Sequence, residues 1–157
     1  MPKYQTLHEA YSECEINGLF RDRETDSKDK INTMLKISRA YSDSADKLKK
    51  QVGDNTYDVS VVYNLYYDSL RELAEALSLM NGKKIANHKC LFAYVCMNYD
   101  HLELSWDFFE KIRTKRNGIS YYGTPVTARD LKEVELQIKL YIKVLREEII
   151  GLLEKSE

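Results

Sequence analysis

Apolar residues recur along this chain every three to four positions, the spacing of one helix face. No segment sustains the period of two that a strand requires. Tyr4, Leu7, Tyr11 and Cys14 make the first stripe, which stops at Asn17-Gly18. A polar linker, Arg21 to Asp26, follows. A second helix is expected from near Ser27 to about Gln51, with the stripe Ile31, Met34, Ser38, Tyr41, Ala45 and Leu48, broken by Gly53-Asp54-Asn55. The third runs from about Tyr57 to Met80. It places Tyr63, Tyr66, Leu70, Leu73, Leu77 and Met80 on a heptad-like seam and Asp68, Arg71, Glu72 and Glu75 opposite. Asn87 suits the cap of a short fourth helix bearing Leu91, Phe92 and Val95. A fifth is expected from Asp100 to Arg116, closed by an Asn117-Gly118 turn. Thr127 and Asp130 form a capping-box pattern opening the last helix, whose seam is Leu131, Val134, Ile138, Tyr141, Leu145, Ile149 and Leu152.

Stripes of this kind are buried only by helix against helix. The expectation is a single all-α domain over residues 1–157, an antiparallel up-down bundle of four or five helices. A chain of 157 residues with 43% hydrophobic side chains supplies enough core without metal or disulfide. Two prolines and six glycines leave long helices uninterrupted. Cys14, Cys90 and Cys96 form no CxxC pair and are odd in number, so they are expected to be reduced and mostly buried. The N-terminus does not read as a signal peptide and no apolar run is long enough to span a membrane, so a cytoplasmic protein without a membrane partner is expected.

Charge narrows the function. The net charge is −1, so any polyanion binding must come from a local patch. The strongest patch is Lys111, Arg113, Lys115 and Arg116. On a helical projection Arg113 and Arg116 fall within roughly 40° of the stripe of Leu102, Trp106 and Phe109, while Lys111 and Lys115 point away. Cations in a helix's last turn complement its dipole, which accounts for the lysines. Arginines that continue an apolar stripe need a partner or a route to water, and a guanidinium fork suits phosphate or carboxylate. Tyr121-Tyr122-Gly123 follows as a loop anchor or as phenols lining the same cleft. His88 and His101 fall at helix starts, where capping or exposure explains them. The acidic row Asp100, Glu103, Asp107 and Glu110 reads as a solvated face rather than a metal site. Phosphate-binding glycine loops, H-E-x-x-H and catalytic cysteine or serine motifs are absent from the sequence, and no cofactor or metal is expected.

Two stretches resemble the HEPN family, the higher eukaryotes and prokaryotes nucleotide-binding domain. The segment from Tyr63 to Leu77, with Asn81-Gly82-Lys83-Lys84 and Asn87-His88-Lys89, is similar to the family's central helix and following loop. Lys115-Arg116-Asn117-Gly118-Ile119-Ser120-Tyr121-Tyr122-Gly123 is similar to its R-x(4–6)-H region. The resemblance covers roughly residues 27–155 and leaves the helix in residues 1–18 as an addition. It implies a homodimer with arginine motifs facing across the interface. It also implies a metal-independent ribonuclease, or the helical partner of a nucleotidyltransferase in a toxin–antitoxin pair. On this alignment Arg116, Asn117 and Tyr121 are the candidate catalytic residues, and Arg113, Arg116 and Tyr122 the candidate phosphate or RNA contacts.

The motif histidine is missing: Tyr121, Tyr122 and Gly123 occupy its slots. A phenol has a reference pKa near 10 against about 6.5 for imidazole, so ionising one at neutral pH costs about 4 kcal/mol. The sequence therefore favours RNA or nucleotide binding over strong ribonuclease activity. A purely structural docking module is the remaining reading.

Overall fold

The computed structural model describes residues 4–156, with Thr56 described by its backbone only. Six helices carry the chain: α1 (Leu7–Ile16), α2 (Lys28–Val52), α3 (Thr56–Met80), α4 (His88–Asn98), α5 (Trp106–Tyr122) and α6 (Ala128–Lys155). A two-residue antiparallel ladder pairs β1 (Arg21–Asp22) with β2 (Lys83–Lys84) and ties the polar linker to the turn before α4. The all-α expectation holds. Among the described residues, no helix is long and apolar enough to cross a membrane.

Side-chain caps set the starts. Ser27 accepts from Lys30 N–H, Asn55 from Tyr57 and Asp58, and Asn87 from Cys90. Thr127 and Asp130 form the expected reciprocal box. Thr6 and Glu9 form another, so α1 begins at Leu7 and Tyr4 precedes it.

The centre of the molecule is α3, which packs on α2, α4, α5 and α6. A helix contacted from several sides must be apolar over more than one stripe. Accordingly Tyr63, Tyr66, Tyr67, Leu70, Leu73, Ala74, Ala76 and Leu77 are all fully buried. Helices α2 and α3 form an antiparallel hairpin, closed at mid-length by a reciprocal pair: Ser38 Oγ donates to Ser69 O (2.9 Å) and Ser69 Oγ to Ser38 O (2.7 Å). Both hydroxyls are buried and satisfied, which explains a serine on the α2 stripe.

Three expectations are corrected. The fifth helix does not run from Asp100 to Arg116. Asp100–Leu102 is a 3-10 turn, Ser105 caps α5, and α5 continues through Asn117-Gly118 to Tyr122. Leu102 therefore lies off the helix on which it was projected. A helical glycine costs about 1 kcal/mol relative to alanine, and here the last turn is retained because Ile119 packs on the core. The stop falls instead at Gly123, in the left-handed conformation, whose N–H returns to Gly118 O. Second, Cys14 and Cys90 are disulfide-bonded, with Cα atoms 5.8 Å apart, and Cys96 alone is a buried thiol. Their separation of 76 residues hides the pairing from sequence; it arises because α1 packs on α4. Third, the acidic row does not form one solvated face, because Glu110 is buried.

Candidate functional site

The basic cluster of α5 meets the start of α4 and the middle of α3. Arg113, Asn117 and Tyr121 are spaced i, i+4, i+8, one ridge of a continuous helix. With Ala86, Asn87, His88 and Lys89 they line an open pocket of about 260 Å³. Had α5 ended at Arg116, Asn117 and Tyr121 would not share that ridge. Tyr122 is 79% exposed and is not among the lining residues.

The two arginines have different fates. Arg113 is held by Glu110 through both Nε (2.8 Å) and Nη2 (3.0 Å), a side-on fork with little solvent on the carboxylate. Burial works against the charge, but the hydrogen bond and the charge of Glu110 hold the Arg113 guanidinium above its ordinary value. That pairing satisfies a buried carboxylate that would otherwise be costly. Among the described residues Arg116 has no carboxylate in hydrogen-bonding range; its Cζ lies 5.3 Å from the Tyr67 ring centroid and 5.9 Å from that of Tyr121. The outward lysines reach α6 instead, Lys115 to Asp130 (3.4 Å) and Lys111 to Glu133 (3.8 Å).

His88, the first residue of α4, is the component that the sequence reading explains by capping or exposure at a helix start. Its Nδ1 is 3.1 Å from the Tyr67 hydroxyl. Burial, reinforced by the charges of Arg71 and Arg116, pulls the imidazole down to about 4, so it is neutral at physiological pH. Burial also raises the Tyr67 phenol above its ordinary value, over the opposing pull of Arg116, Arg113 and Arg71. In the tautomer in which the phenol donates to Nδ1, the imidazole proton sits on Nε2 as a hydrogen-bond donor; in the other, Nδ1–H donates to the phenol oxygen. Tyr67 escaped the sequence reading because a buried tyrosine on a helical seam is ordinarily core. Only the crossing of α3, α4 and α5 gives its hydroxyl a polar partner.

Arg71 adds no net positive charge. It contacts Glu75 (3.0 Å), Glu72 (3.4 Å) and Asp68 (3.7 Å), and Lys84 joins through Glu75. Lys89, in the first turn of α4, lines the pocket; Arg116 is not among its lining residues and lies beside it, over the Tyr67 and Tyr121 rings, and among the described residues neither cation makes a salt bridge. The disulfide at Cys90 anchors that same first turn to α1. His101, the other histidine set at a helix start, pairs with Glu148 (3.0 Å) away from this cluster. Among the described residues no group of histidine, cysteine, aspartate and glutamate is arranged to hold a metal ion.

Comparison with protein-family models, with curated proteins and with solved structures found no match to this chain.

Proposed function

We propose that this protein binds RNA or a nucleotide through phosphate in the crevice between the start of α4 and the second half of α5. The observation that carries the reading is the contrast between the arginines: Glu110 neutralises Arg113, whereas Arg116 lies over two phenol rings and, among the described residues, pairs with no acid. A cation held over aromatic faces is pre-organised and remains available to an anion. Lys89, the positive end of the α4 dipole and, in the tautomer that carries it, the His88 Nε2 proton act in the same direction. Asn117 offers an amide to the ligand from within the helix rather than capping it. Tyr121, at 70% exposure, offers a ring on which a base can stack. Arg113 sets the wall of the pocket, and Tyr122 reaches a ligand only beyond its rim.

The resemblance to HEPN domains agrees with this reading and adds a homodimer, with a nucleotidyltransferase as the partner class. The test is binding of single-stranded RNA across a salt series. Replacing Arg116 by alanine removes one charge-assisted phosphate contact. It should weaken affinity about 10- to 100-fold and flatten the salt slope by about 0.7. Unchanged affinity in a folded R116A protein overturns the proposal.

A weak metal-independent ribonuclease is the second reading, and the position of His88 favours it. A neutral imidazole beside Arg116 is closer to the required chemistry than Tyr121, the sequence-level substitute for the absent motif histidine. With a pKa near 4, and free to accept a proton at Nε2 only in the tautomer whose Nδ1–H faces Tyr67, it is a feeble base, which keeps the expected rate low. Cleavage that survives EDTA and disappears in His88→Gln selects this reading over simple binding. If RNA does not bind and a nucleotidyltransferase co-purifies, the docking-module reading stands instead.

A further inference from the structure

On the opposite side of α3, helices α2 and α6 run antiparallel along a shallow groove. At one end its charges are matched. Lys49 pairs with Glu135, and Lys139 bridges Asp46 (3.1 Å) and Glu135 (3.3 Å). The other end is different. Asn32, Leu35, Lys36 and Arg39 of α2 face Arg146 and Ile150 of α6 around an open pocket of about 270 Å³. Three cations converge there. None of them makes a salt bridge among the described residues.

Arg146 is the unusual member. Its Nε and Nη2 atoms are buried and, among the described residues, have no hydrogen-bond partner. These two nitrogens form the side-on edge of a guanidinium, the edge with which Arg113 grips both oxygens of Glu110. The same chemistry is thus satisfied at one arginine and unmet at the other. Burial and the neighbouring charge of Arg39 push the Arg146 guanidinium down from its ordinary value, and Asp43 is the acid that counteracts them. An unpaired buried donor is destabilising, so a fork of this kind beside two further cations is a poor structural device and a good receptor. As the side chain stands this edge is closed to solvent, so binding requires the last torsions of Arg146 to turn it toward the pocket that the side chain lines.

We infer that the pocket between α2 and α6 binds a phosphate monoester. The Arg146 fork takes two of its oxygens, Arg39 and Lys36 neutralise the rest of its charge, and Leu35 and Ile150 flank its organic part. A dianion matches three cations better than a carboxylate does, and the apolar flanks favour an organic phosphate over the free ion. This inference is independent of the Arg116 crevice.

The experiment is thermal unfolding of the full chain in chloride at fixed ionic strength, with added inorganic phosphate or phenyl phosphate. Wild type and Arg116→Ala should each gain about 4 °C at saturating phenyl phosphate. Arg146→Met should gain nothing while being at least as stable as wild type without ligand, because an unmet polar edge has been removed. A merely structural arginine would lower that baseline. Arg39→Gln, a surface change that keeps the core intact, should lose most of the gain even if Arg146→Met does not fold. A larger gain with phenyl phosphate than with phosphate marks an organic monoester as the ligand, and an equal gain marks the free ion. No gain in wild type, or the same gain in Arg146→Met or Arg39→Gln, overturns the inference.

Discussion

At the scale of single residues, neighbours decide whether a charge is spent or available. Arg113 and Arg116 are three positions apart on one helix, and only the buried Glu110 separates their roles. His88 shows the same dependence on surroundings. Its imidazole is neutral because it is partly buried and faces the charges of Arg71 and Arg116. That predicts a definite pH response. In the unfolded chain the histidine titrates near 6.5, in the fold near 4. Above pH 6.5 both states are neutral and the contribution is complete. As pH falls from 6.5 to 4 the unfolded chain takes up a proton that the native state refuses, so stability declines. The decline should reach about 2–3 kcal/mol by pH 4, allowing for the solvent that reaches the ring. Urea denaturation across that range should show a steeper loss for wild type than for His88→Gln. A His88 resonance, assigned by its loss in His88→Gln, that titrates near 6.5 in the native protein would contradict the assignment.

Among the elements, α5 decides the shape of the crevice. Its sequence holds two helix-stop signals, Gly118 and Gly123, and the local signals alone do not rank them. Tertiary packing ranks them, because Ile119 is drawn against the core and carries the helix past the first glycine. The two glycines should therefore respond oppositely to alanine. Gly118 is helical, and a Cβ there would meet Thr124 at an ordinary 3.8 Å. Gly118→Ala should stabilise by about 0.5–1 kcal/mol. Gly123 sits at φ +63° with nothing nearby to clash, so its penalty is from the backbone alone. Gly123→Ala should cost about 1–2 kcal/mol. Chemical denaturation of both variants measures the signs, and the reverse order would restore the Asn-Gly turn.

For the whole molecule, the Cys14–Cys90 bond joins the N-terminal helix α1 to the element that carries His88. The indole N–H of Trp106 donates to Gln5 O (2.7 Å), giving the same segment a second tie near the start of α5. Closing a loop of this length restricts the unfolded chain strongly. The double variant Cys14→Ser/Cys90→Ser, or addition of a dithiol reductant to wild type, should lower stability by about 2–4 kcal/mol. Identical unfolding curves with and without reductant would show that the bond is not formed in solution. Disulfides persist in oxidising surroundings, so the Cys14–Cys90 bond runs against the cytoplasmic expectation, which rested on the N-terminal residues and on the lack of a membrane-spanning run.

What was determined along the chain is what depends on near neighbours. Helical periodicity and capping residues such as Ser27, Asn87 and the Thr127–Asp130 pair place six helices and the α6 seam, because caps and stripes act within a few residues. The same periodicity put Arg113 and Arg116 on the inward side of α5. Tertiary structure decided everything that requires two distant segments to meet. It brought His88 and Tyr67 to Arg116, joined Cys14 to Cys90, and set Arg39 against Arg146. Those pairings follow from how helices stack around α3, and no local spacing encodes the distance between side chains on separate helices.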